Sequence, residues 1–169
     1  MFLVIQVLTV CLVAIAMALS LAHALELPGK MRLDRDAYVT TQPIYYPGFM
    51  IGAGFGEGGG LTMTLILLLL TPHDSREFAW TLMAFVSLVA MHLAYWAFTH
   101  PVNKFWLKGV HLKGFGRGFF GFDPLKRSAP GSGHVDDWKR FRSRWEYSHV
   151  LRAVLAGFSF VCLVIAVAI

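Results

Sequence analysis

Trp138, Arg142, Trp145, His149 and Arg152 recur at steps of four, three, four and three. On a helix that spacing lays an imidazole and two guanidinium groups along one face, with indoles between them. Three more polar residues, His23, Glu57 and His92, stand inside or at the edge of otherwise apolar stretches. Imidazole titrates near neutrality and moves protons, and a guanidinium stabilises the anion that deprotonation leaves. Brought together, these side chains make a site for taking a proton from an acidic ligand, with His149 or His92 as base and Arg152 holding the anion. Glu57 is the acid at comparable depth that supplies Arg152 with a counter-charge. Such chemistry requires elements that carry all four residues to one place.

Those elements are legible in the hydropathy. Of the 169 residues 56% are hydrophobic and 15% charged, with a mean hydropathy of +0.58; soluble domains carry about 25% charged residues. The apolar residues fall into four runs, 2–24, 48–70, 78–98 and 147–169, each close to the ~20 residues that a helix needs to cross ~30 Å of hydrocarbon. The chain reads as an all-α, integral membrane four-helix bundle. It forms a single domain over residues 1–169, with a long cytoplasmic connection between helices 3 and 4. Ala22-His23-Ala24 has the small-residue pattern of a signal-peptide cleavage site. Met1 to Thr9 lacks Lys and Arg, however, and the basic residues follow the run at Lys30, Arg32 and Arg35, so a retained span is expected. Cys11 and Cys162 stand singly in apolar runs and read as small buried hydrophobes.

Charge sets the orientation. Thirteen of the fifteen Lys and Arg residues lie in connections 25–47 and 101–146, which four spans put on the same side, while the opposite side holds only Arg76. The positive-inside rule places both connections in the cytoplasm and both termini outside the inner (plasma) membrane. The net charge of +5 then reflects topology and an affinity for anionic lipid, and the bilayer is the expected partner. A nucleic-acid partner is not expected. Lys113-Gly114-Phe115-Gly116 begins like the ribonucleoprotein motif of an RNA-binding sheet, but Arg117 breaks it and no four-strand context surrounds it. Residues 105–122 interleave aromatics with bases, as a segment lying in the headgroup layer does, with Lys113 on the cytoplasmic side.

Gly48 to Met63 holds seven glycines around Glu57. Gly54-Phe55-Gly56-Glu57-Gly58-Gly59 fits the dinucleotide pattern G-x-G-x-x-G, yet no βαβ unit encloses it. Gly48, Gly52, Gly56 and Gly60 fall at strict intervals of four instead. In a membrane helix that is the stripe of small residues that lets another backbone approach closely. A groove for a neighbouring helix, in this chain or another, is expected.

Depths agree between spans. Glu57 lies nine residues past Gly48 and His92 eight before His100, or ~14 and ~12 Å from the cytoplasmic end at ~1.5 Å per residue. His149 and Arg152 open the fourth span, and Ser20, His23 and Glu26 close the first. A polar site in the cytoplasmic half follows. Glu146-x-x-His149 has the spacing of di-iron bundle ligands and His23-x-x-Glu26 reverses it, but the full set wants two such motifs and two further acids. Glu146 is expected at the lipid boundary as an ordinary solvated acid. No two histidines form an obvious facing pair for a haem. No metal or other cofactor is expected; Glu146 and His149 are where a metal would sit.

The motifs His100-Pro101-Val102-Asn103, Trp138 and Trp145-x-x-x-His149-x-x-Arg152, with Leu25-Glu26-Leu27-Pro28-Gly29-Lys30 ending the first span, resemble those of the anthrone-oxygenase-like family of small four-span membrane proteins. The resemblance covers most of the chain. It implies an oxygenase acting on a phenolic polyketide without a required metal or flavin, and its matching positions are Asn103, Trp145, His149 and Arg152. His92, Glu57 and the glycine stripe have no counterpart in those motifs. Two functions stay open at this level. One is a small membrane enzyme with a His base and an Arg stabiliser. The other is a non-catalytic subunit that docks a larger membrane complex or binds lipid.

Overall fold

Four long helices carry the apolar runs, and three of them outlast their run. The computed structural model describes residues 1–106 and 137–169. The first long helix is α1 (Phe2–Lys30), followed by α2 (Arg35–Thr41) and a 3-10 turn over Gln42–Tyr45. The second comprises α3 (Gly48–Ala53), a π-helical segment (Gly54–Gly59) and α4 (Gly60–Leu70). The third comprises α5 (Arg76–Ala94), a second π segment (Tyr95–Thr99) and α6 (His100–Trp106). The fourth is α7 (Trp138–Ala168). All four are long and apolar enough, by length and composition, to cross a membrane, as the spans of a multi-pass membrane protein are. Most of the expected headgroup-layer segment, Lys113 included, and the middle of the connection between helices 3 and 4 lie outside the described residues.

The helices form a closed ring in chain order. The first packs on the second and fourth, and the third on the second and fourth. Small polar side chains lace α5 to α7: Ser87 Oγ donates to the Leu155 carbonyl at 2.8 Å, and Ser159 Oγ to the Ala84 carbonyl at 3.0 Å. Such bonds hold helices together where apolar contact gains nothing over lipid. Asp34 and Ser75 accept backbone N–H groups at the starts of α2 and α5, satisfying donors that helix ends leave free.

Where the apolar runs predict ends at residues 24 and 98 and a start at 147, the helices reach Lys30 and Trp106 and begin at Trp138. Their extra turns survive because the polar side chains on them find partners. Lys30 is buried between Glu26 Oε2 at 2.7 Å and Glu146 Oε1 at 3.6 Å, and Arg142 Nη1 donates to the Leu33 carbonyl at 3.0 Å. Connection 25–47 is accordingly mostly helical. It folds against the end of the bundle where Lys30, Gly48, Trp106 and Trp138 meet, here called the basic end. Tyr38, Trp106, Trp138 and Trp145 form an aromatic cluster there.

The glycine groove is occupied from within the chain. A Cβ on Gly56 would lie 2.8 Å from the Ala16 backbone nitrogen, one on Gly52 2.9 Å from Leu19 and one on Gly60 3.3 Å from Val13. The neighbour is thus α1, while Gly48 has nothing within 4 Å. An α-helix overshoots by about 40° every four residues. The wider π turn takes up that drift and keeps Gly52, Gly56 and Gly60 on one line.

Candidate functional site

The same π segment carries Glu57, and the π segment opposite carries Tyr95 and Thr99. Both flank a cavity of about 270 Å³ inside the basic half of the ring. Its lining includes all seven residues expected of a site: His23, Glu57, His92, Asn103, Trp145, His149 and Arg152. Every long helix therefore contributes. Tyr45, Tyr46, Phe49 and Tyr95 add aromatic wall. The face on the fourth helix is as the spacing predicts, with Trp138, Arg142, Trp145, His149 and Arg152 all buried.

Arg152 is the hub. Its Nη2 donates to Glu57 Oε1, and its Nη1 lies 3.1 Å from His149 Nδ1. Its guanidinium carbon also sits 5.2 Å from the centre of the Tyr95 ring. The side chains of Arg152 and Glu57 are only 5% and 11% exposed, so the pair joins the second and fourth helices away from solvent. A guanidinium only donates. His149 Nδ1 must accept, and its ring proton resides on Nε2. Trp96 Nε1 likewise donates to His92 Nε2 at 3.0 Å, which puts the His92 proton on Nδ1, 4.0 Å from Glu57 Oε2. Two hydrogen bonds thus fix both tautomers.

The result is a surplus of donors. His149 Nε2, His92 Nδ1 and Arg152 Nε are buried with no hydrogen-bond partner among the described residues, whereas buried polar groups are nearly always paired. Asn103 is already committed: its Oδ1 accepts from Trp145 Nε1 at 2.9 Å and its Nδ2 lies 3.5 Å from the Tyr95 hydroxyl. It positions Trp145 at the cavity wall. His23 stacks on His149 with ring centres 4.2 Å apart and packs on Tyr45, Phe49 and Trp145. The two rings lie against each other at a tilt of 35°, a packing contact between residues too far apart in sequence for spacing to reveal.

Glu146 corrects another expectation. It is fully buried, not solvated at a boundary. Its Oε1 accepts from the Tyr38 hydroxyl at 2.8 Å and lies 3.6 Å from Lys30 Nζ. Glu26 Oε2 accepts from the Tyr45 hydroxyl and from Lys30 Nζ, both at 2.7 Å. This network of two carboxylates, two phenols and a lysine ties the first and fourth helices to the segment between α1 and α3. Burial, and then the Glu146 carboxylate, push the Tyr38 phenol above its ordinary value. Burial and the Glu26 hydrogen bond do the same for Tyr45. Both phenols stay protonated donors at neutral pH. Tyr38, Lys30 and Tyr45 carry no spacing signal, because the two phenols bond carboxylates 108 and 19 residues away.

No protein-family model, curated protein or solved structure matches this chain.

Proposed function

We propose that this chain is a small membrane enzyme of the anthrone-oxygenase type, taking a proton from an activated aromatic methylene so that the resulting anion reacts with dioxygen. The observation that supports this best is the cavity's polar inventory: three unpartnered N–H donors beside the Glu57 carboxylate, within aromatic walls. Such a site suits a ligand that brings oxygen acceptors on a flat ring system. At about 270 Å³ it is near the lower end of small-molecule sites, roughly 300 Å³, which suits one compact ring system better than a phospholipid.

The tautomers reassign the roles expected from sequence. With the protons of His149 and His92 held on Nε2 and Nδ1, Glu57 Oε2 is the acceptor within reach. The substrate C–H proton passes to Glu57, and its electron pair moves into the ring system and collects on the carbonyl oxygen. Arg152, losing the charge of its carboxylate partner, gains that of the enolate, so it stays paired throughout. His149 Nε2–H is a further donor for the same oxygen. The carbanion then forms a C–O bond to dioxygen, and the resulting peroxide anion takes the proton back from Glu57 to give a hydroperoxide. Loss of water leaves a carbonyl; anthrone and dioxygen give anthraquinone and water.

An anthraquinone in lipid vesicles tests the donor set without turnover. Its carbonyl stretch is expected to move to lower frequency on binding, and His149→Phe to remove part of that shift. An unshifted carbonyl at saturating protein would rule out the donor assignment.

The charge asymmetry supports an orientation with the basic end in the cytoplasm and both termini outside. In intact cells a charged maleimide applied externally should label Asp74→Cys and spare Arg32→Cys; the reverse pattern would invert the topology.

A further inference from the structure

The glycines of the second helix divide into two groups with different surroundings. Gly52, Gly56 and Gly60 touch α1, but a Cβ on Gly54 or Gly58 would meet none of the described residues within 4 Å. Both lie in right-handed helical backbone and neither packs against a neighbouring chain segment, so neither close approach nor strain explains the missing side chain. Both are surface-exposed and both line the cavity.

Their position in the ring supplies the reason. The seam between the second and third helices is closed where α4 packs on α5, and among the described residues no comparable packing joins α3 or its π segment to the third helix. His92, across the seam, has a side chain 41% exposed although it lies inside a membrane-length helix. Gly58 is ten residues into the second helix, ~15 Å from its start. The gap therefore faces sideways, at a depth within the hydrocarbon. Tyr45, Tyr46 and Phe49 line the cavity and pack into the Tyr38–Trp106–Trp138 cluster of the basic end.

We infer that the cavity opens laterally into the bilayer between the second and third helices, through a gap that Gly54 and Gly58 keep clear, and that its ligand is a membrane-dissolved flat aromatic that enters by this route. The existence of the opening stands on geometry; only the identity of what passes through it rests on the function proposed above. The residual polarity of the gap is small: Glu57 and Arg152 neutralise each other behind it, and His92 stands at its edge.

Ser20 makes the opening measurable without any substrate. It lies on α1, lines the cavity and is buried. In a Cys11→Ser background reconstituted in phosphatidylcholine–phosphatidylglycerol vesicles, Ser20→Cys is expected to react with a small uncharged maleimide dissolved in the lipid. A charged, impermeant maleimide added to either side should leave it untouched. Adding Gly58→Leu should reduce labelling to the level of the Cys11→Ser chain that keeps Ser20, at an unchanged melting temperature, since the new side chain meets open space. Equal labelling with and without Gly58→Leu, or labelling by the charged reagent, overturns the lateral route. So does a thiol at position 20 that neither reagent reaches. Protection of that thiol by a dihydroxyanthrone is read separately. Its absence with labelling otherwise as expected would leave the opening in place and count against the proposed substrate.

Discussion

Arg152→Met should destabilise the bundle by about 3–5 kcal/mol, because it leaves the Glu57 carboxylate in the interior without its guanidinium. Glu57→Leu should cost a comparable amount by stranding Arg152, which also carries the contact to His149 Nδ1. Combining the two removes both charges at once, and apolar side chains of similar volume replace buried ion pairs with little loss. The double variant should therefore recover most of the stability, read as the melting temperature in detergent. Recovered stability does not restore a proton acceptor or an anion partner, so the double variant should be folded and inactive. If the single variants melt like the parent, the pair contributes no structure. If the double variant keeps activity, the pair contributes no chemistry.

Gly56→Ala, the smallest change available, should already loosen the contact between the first and second helices. Its Cβ would stand 2.8 Å from a backbone nitrogen and 3.2 Å from a backbone Cα of Ala16, and neither atom belongs to a side chain that can swing away. Overpacking of this kind costs about 1–3 kcal/mol where the surroundings yield, and Gly56→Leu should prevent assembly. Gly54→Ala and Gly58→Ala provide the contrast. With open space at each Cβ, they should hold or raise the melting temperature, by up to about 1 kcal/mol of helix propensity. Glycines two positions apart should thus respond with opposite sign. A uniform response across Gly54, Gly56 and Gly58 would contradict the packing of this seam.

These two predictions also mark what the sequence can and cannot reveal. Glu57 and Arg152 are identifiable as partners because a charge in an apolar span needs a counter-charge and each has few candidates. The face from Trp138 to Arg152 is legible because helical periodicity survives in a linear chain. Helix ends are misread wherever polar residues are buried by distant partners: Lys30 and Glu146 look like boundary residues until Tyr38 and Glu26 surround them. Four-residue spacing singles out Gly52, Gly56 and Gly60, which do meet α1, but it also takes in Gly48, which meets none of the described residues. Only the position of α1 shows that Gly54 and Gly58 lie over a void. The roles of His92 and His149 depend on a single hydrogen each, fixed by Trp96 and Arg152. Nothing in the identity of a histidine announces which of its nitrogens is protonated.

The transfer of charge at Glu57 is tested most directly by oxygen uptake with a dihydroxyanthrone in vesicles, comparing parent and Glu57→Gln at matched amounts of folded protein. The glutamine keeps the shape and the contact to Arg152 but cannot take the proton. The parent should consume one dioxygen per anthrone well above the rate in empty vesicles, and Glu57→Gln should fall to that background. A parent no faster than empty vesicles, or a Glu57→Gln variant as fast as the parent, would contradict the assignment of this cavity as the site of the reaction.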